Sequence, residues 1–308
     1  MINIRLLGHP QILHDGEEIE LKRRKALALL AFLAITRKTH SRDSLTALFF
    51  SDQEEKQARS GLRLLLTDLN KSALTDWLVI DRNTIALKEG DGLFIDVVHV
   101  LDLLNNAPTP SAMQEAIALY ADHFMKGFTI SGGTEFDHWQ STQTQVLQKK
   151  IIGSLEQLVR YQVSTNNVNA VISTVERWLS IDPYYEMAQR QLMRAYVNAG
   201  QRAAALHQYT ILEALLAQEL NEEPQARTVE LVEAIRNGDN IPLTEYALPV
   251  FGNLPPVPEL VVGRENAIVE MRQRLAGTGD KDAPTSNTHI VQGWPGIGKT
   301  TLSALIAH

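Results

Sequence analysis

Residues 53–74 read QEEKQARSGLRLLLTDLNKSAL, and how this stretch is read decides the fold of the amino-terminal part. At 100° per residue, Ala58, Leu62, Leu65, Leu66 and Leu69 fall on one side of a helix, and Lys56, Arg59, Ser60, Arg63, Thr67, Asn70 and Lys71 cover the other. Such a polar face suits a DNA major groove: arginine forks onto guanine edges, asparagine pairs with adenine, and lysine or threonine holds phosphate. Periodicity alone describes an ordinary solvated helix face even better, so the flanking sequence has to discriminate.

Downstream, WLVID at 77–81 and TIALK at 84–88 alternate apolar residues around the turn Asp81-Arg82-Asn83, which predicts a β-hairpin. Upstream, ALALLAFLAI at 26–35 is long and rich in Ala and Leu, as a buried helix is. Ser41 starts a second helix with Leu45, Leu48 and Phe49 facing inward. Residues 2–7 and 11–20 form short apolar segments around the turn His14-Asp15-Gly16, a small leading sheet. Sheet, three helices and hairpin make a winged helix-turn-helix of the α+β class over residues 1–95, with the third helix as recognition helix and the hairpin as wing. Arg23 and Arg24, in the basic run KRRK at 22–25, and Arg82 at the wing tip join the α-helical face as candidate DNA contacts, Arg24 as a phosphate contact.

The stretch IRLLGHPQILHDGEEIELKRRKALALLAFLAITRKTHSRDSLTALFF, followed by ARSGLRLLLTDLNKSAL and the wing, resembles the OmpR-type winged-helix domain of Streptomyces antibiotic regulatory proteins. Arg24-Lys25-Ala26-Leu27, Ser41-Arg42-Asp43 with Leu45, and Ala58-Arg59 with Leu62-Arg63 carry the likeness. It implies a DNA-binding face on the third helix. One departure is Leu69-Asn70-Lys71 where many relatives have Leu-Arg-Lys, which implies a different base preference.

From Asp96 onward, amphipathic helices are predicted over 97–105, 112–125, 134–163, 167–180, 184–198, 201–219 and 226–236, an all-α domain spanning 96–240. Asn166 and Gly200, Ala170 and Ala204, Val175 and Tyr209, and Trp178 and Leu212 each lie 34 apart, the grammar of tetratricopeptide repeats. WLSIDPYYEMAQRQLMRAYVNAGQRAAALHQY and ALYADHFMKGF resemble the bacterial transcriptional activator domain. His123, His138 and His207 have no spaced partner, and a role in binding partners fits the repeats better than chemistry.

Pro242, Pro249, Pro255, Pro256 and Pro258 mark a stiff linker over 241–260. A strand HIVQ at 289–292 then leads into Gly293-Trp294-Pro295-Gly296-Ile297-Gly298-Lys299-Thr300-Thr301, a complete G-x-x-x-x-G-K-[ST] phosphate loop. Lys299 is expected to reach the β and γ phosphates, Thr300 to hold Mg²⁺, and the backbone around Gly293, Gly296, Gly298 and Thr301 to cradle the anion. With Gly263-Arg264 about 30 residues earlier, residues 261–308 resemble the start of a STAND-class NTPase related to NB-ARC domains, which implies ATP or ADP as ligand and the Gly-Arg segment near adenine. Eight residues follow Thr300, too few for the acidic strand and sensors of such a domain, so no NTP hydrolysis is expected, and residues 1–240 are expected to need no cofactor.

Cysteine is absent, which excludes disulfides and thiol catalysis. The net charge of −7 sits outside the first domain: residues 1–95 carry 14 Lys and Arg against 13 Asp and Glu, the remainder 15 against 23. No signal peptide and no run of about 18 apolar residues occur, so a cytoplasmic bacterial protein without membrane contact is expected. The leading expectation is a sequence-specific transcription regulator, an activator under nucleotide control, with duplex DNA, RNA polymerase and a second copy of itself as partners. The alternatives are a signalling NTPase, or an interaction scaffold whose winged helix does not bind DNA.

Overall fold

The computed structural model describes residues 1–105 and 108–244. Strand β1 (Ile2–Arg5) pairs antiparallel with β2 (Gln11–His14), and β2 with β3 (Glu17–Glu18) across a turn in which Asp15 and Gly16 both have positive φ. Then follow α1 (Arg24–Thr36), β4 (His40–Ser41), α2 (Arg42–Phe49), α3 (Glu55–Asn70) and the hairpin β5 (Leu78–Ile80) with β6 (Thr84–Leu87). Ser41 caps α2, its hydroxyl accepting from the Ser44 amide at 3.1 Å. The winged helix-turn-helix is therefore present. Two pairings go beyond the predicted elements: β4 adds to β6 as the third strand of the wing, and β7 (Leu93–Ile95) lies parallel to β1.

Helices α4 (Asp96–Leu103), α5 (Pro110–Leu119), α6 (Thr134–Ser164), α7 (Val168–Ile181), α8 (Glu186–Asn198), α9 (Arg202–Leu215) and α10 (Ala226–Asn237) follow. Positions 34 apart share environments. Asn166 and Gly200 both adopt left-handed φ, 52° and 76°, Ala170 and Ala204 are half-buried, and Val175, Tyr209, Trp178 and Leu212 are buried. Buried Glu186 on α8 fastens the start of α10. Its carboxylate accepts from the Gln225 amide at 2.9 Å and the Thr228 hydroxyl at 2.5 Å, and that hydroxyl accepts in turn from Arg190 at 3.0 Å. A buried carboxylate held by this many donors is compensated for its lost hydration.

The helix expected over 112–125 stops at Leu119. Met125 and Gly127 take left-handed φ, and the segment pairs with the connection after β1: Met125 N–H donates to Leu6 at 2.7 Å and Gly8 N–H to His123 at 3.0 Å. Phe124, Met125 and Phe128 are buried there, and Gln140 of α6 donates to the carbonyls of Met125 and Phe128 at 3.2 Å. Residues 120–133 are thus an ordered connection that joins the sheet to the helices. Their apolar spacing imitates a helical period, and the competing tertiary pairing wins.

The main apolar core draws on residues from Ile2 to Leu243, and a smaller cluster packs α9 and α10 against α8. At the centre of the main core Phe32 of α1 meets Trp139 of α6 (ring centroids 5.0 Å), and Phe49 of α2 meets Phe136 (5.3 Å), which meets Trp139 (5.3 Å). Such pairs contribute about 0.5–1.5 kcal/mol each beyond their buried area. Buried Asp96, the first residue of α4, accepts from the amides of Leu6 (2.8 and 2.9 Å) and Leu7 (2.9 Å). Burial pushes its carboxyl above the usual range, against the pull of the amides of Leu7, Leu6 and Val97. The compact unit extends through Leu243, three residues into the stretch read as linker.

Candidate DNA-binding surface

Helix α3 buries Ala58, Leu62, Leu65, Leu66 and Leu69 against the winged-helix core. Its crossing with α2 is close because Gly61 leaves room: a Cβ there would lie 2.5 Å from the Phe50 ring. The opposite face exposes Lys56, Arg59, Arg63, Thr67, Asn70 and Lys71, so the structure brings these six sequence-predicted residues onto one surface. Among the described residues, Lys56, Arg63 and Lys71 make no ion pair. Arg59 is held by Glu55 at 2.7 Å and Asp43 at 3.3 Å. Exposed pairs of this kind hold weakly, so a phosphate can replace them. Thr67 returns its hydroxyl to the Arg63 carbonyl at 2.8 Å.

Arg82 stands exposed at the wing tip. The wing is fixed to the start of α2, where Arg42 Nη2 donates to the Asp81 carbonyl at 2.9 Å and its amide to Asn83 at 2.9 Å. The other two candidates are engaged elsewhere. Arg23 is ion-paired with Asp68 on α3 and so braces that helix. Arg24, the expected phosphate contact, is exposed and also makes two contacts within the chain. Its Nε donates to the Thr129 carbonyl at 3.0 Å, and its guanidinium lies 4.5 Å from the Phe128 ring centre, a cation–π contact that ties α1 to the 120–133 connection.

Leu64 was missed. It is 51% exposed in the middle of the polar face of α3, beside Arg63. The signal was available: at helical spacing Leu64 falls away from the other leucines, and an exposed leucine among cations can pack on a thymine methyl. The phosphate-loop candidates Gly263, Arg264, Gly293, Gly296, Gly298, Lys299, Thr300 and Thr301, with the Mg²⁺ assigned to Thr300, lie outside the described residues.

Residues 104–236 match the family model of the bacterial transcriptional activator domain. The match takes in the described helices from α5 into α10. The regulatory protein AfsR of Streptomyces griseus is 31% identical over 146 residues, covering 44% of this chain and 14% of the relative. The chain therefore spans about a seventh of that protein's length. The structure of Mycobacterium tuberculosis EmbR in complex with a low-affinity phosphopeptide superposes with a TM-score of 0.56 at 18% identity, over 79% of this chain and 66% of that one. That likeness shows a shared fold, here a winged helix followed by a helical part. Among the described residues, no helix is long and apolar enough to cross a membrane.

Proposed function

We propose that this chain is a sequence-specific DNA-binding transcription regulator of the Streptomyces antibiotic regulatory protein type, acting as an activator. The observation that carries this reading is the exposed face of α3, where Lys56, Arg63 and Lys71 stand without ion pairs around Leu64, with Arg82 on an anchored wing. Arginine and the leucine read bases, and the lysines and Arg82 hold phosphate. The activator domain is the surface offered to RNA polymerase, and a second copy on a repeated half-site is the expected arrangement on DNA. Nucleotide control is the finer part of the proposal. It rests on the complete motif Gly293 to Thr300, whose Lys299 and Thr300 suit a nucleotide phosphate and its Mg²⁺.

Both parts are tested by titrating the full chain into a pool of random duplexes, selecting the bound fraction and measuring its affinity against salt. Affinity should fall steeply as salt rises, from release of counterions. Repeating the titration with ATP and Mg²⁺ should change the affinity of the unaltered chain and leave that of Lys299→Ala unchanged. Failure to retain any duplex at low salt refutes the DNA reading. An identical nucleotide response in both chains refutes only the control.

A further inference from the structure

Helix α10 ends on Gly238 in the left-handed conformation (φ 79°), and the chain beyond it lies along α8. Three side chains from one face of α8, at spacings of three and four residues, donate to three successive backbone carbonyls. Gln191 Nε2 reaches Leu243 at 2.7 Å, Arg194 Nη1 reaches Pro242 at 3.3 Å, and Asn198 Nδ2 reaches Ile241 at 2.9 Å. The segment therefore runs antiparallel to the helix. Its two apolar side chains are buried in different places. Ile241, 7% exposed, belongs to the small cluster of Met193, Tyr209 and Val232, and Leu243, 8% exposed, belongs to the main core.

This is how an extended peptide is read. Backbone carbonyls supply affinity whatever the sequence, and alternate side chains in pockets supply selection. Pro242 suits the middle position, because only its carbonyl is used and its ring restricts the free segment before it docks. Gln191 is only 6% exposed with the segment seated, and its amide is spent on the Leu243 carbonyl.

We infer that this face of α8 is a docking surface for extended apolar–proline–apolar peptides, occupied in cis by the strap Ile241–Leu243. With the strap seated the surface is closed, and releasing it opens the surface to a partner peptide of the same pattern. The inference is independent of DNA binding.

The test uses the full chain and a fluorescent peptide of residues 238–247, followed by anisotropy. A chain with Ile241→Ser and Leu243→Ser should bind the peptide at least tenfold more tightly than the unaltered chain, whose site is filled. Adding Gln191→Ala and Asn198→Ala should abolish that gain. Equal binding to unaltered and released chains overturns the proposal, as does a gain that survives loss of both donors. A second measurement leaves the strap's own sequence intact. In the Gln191→Ala, Asn198→Ala chain, amide exchange at 241–244 should rise roughly tenfold while α7 and α9 keep their protection. Unchanged exchange at the strap also overturns it.

Discussion

Arg63 and Leu64 are neighbours on the exposed face of α3, and their substitutions separate base reading from charge. Arg63→Ala should cost about 1–3 kcal/mol on the selected duplex and flatten discrimination, as for loss of a bidentate base contact. Leu64→Ala should cost about 1 kcal/mol and only on sites containing the contacted thymine, since it removes apolar contact without removing charge. Lys71→Ala should weaken all duplexes about equally and reduce the salt slope by about 1. Competition binding on matched and mismatched duplexes distinguishes these outcomes. An equal loss on every sequence for Arg63→Ala shows that it holds phosphate instead. Arg24→Ala should leave the salt slope of DNA binding unchanged, because its guanidinium is engaged by Thr129 and Phe128.

At the scale of elements, the junction between sheet and helices depends on one carboxylate. Asp96 opens α4 and satisfies the amides of Leu6 and Leu7, which lie just beyond the end of β1. Asp96→Ala leaves both amides buried without an acceptor, at about 1–3 kcal/mol for each orphaned group. Urea unfolding should show the stability lowered by that much, through a lower midpoint with little change in slope. A loss under about 0.5 kcal/mol indicates that water replaces the carboxylate and that the junction is held by the apolar core alone. The same reasoning explains why residues 120–133 are not helical. Their backbone groups find partners on the β1–β2 connection and on Gln140, and Met125 and Gly127 take left-handed conformations that end any helix.

Across the compact unit, the winged helix and helices α4 to α8 share one core, joined by the aromatic contacts of Phe32, Phe49, Phe136 and Trp139. In the proposed complex, docking α3 on DNA therefore sets the orientation of the helices packed on that core as well. Residues 1–243 should accordingly unfold in a single transition, with Trp77 beside the wing and Trp178 in α7 reporting the same midpoint. Trp77→Phe and Trp178→Phe variants that keep Trp139, followed by fluorescence, check this, and midpoints separated by more than a few degrees would show two independent folding units.

What the sequence determined by itself was whatever depends on near neighbours. The apolar stripe of α3, the alternation of the wing, and the spacing of Asn166 and Gly200 at equivalent left-handed positions are all local patterns, and each appears in the structure. The exposed cations of α3 were legible for the same reason, since a helix places residues three and four apart on one face. Only the tertiary structure decided the parallel pairing of β7 with β1, the use of Arg24 as a domain contact, the loop at 120–133 and the seating of the strap on α8. In each case the partner lies far along the chain: Leu6 and Asp96 are 90 residues apart, Arg24 and Thr129 are 105 apart, and Gln191 and Leu243 are 52 apart. No local period encodes a pairing over such distances. It is selected by burial and by the need of every enclosed polar group for a partner, and those exist only once the chain has closed on itself.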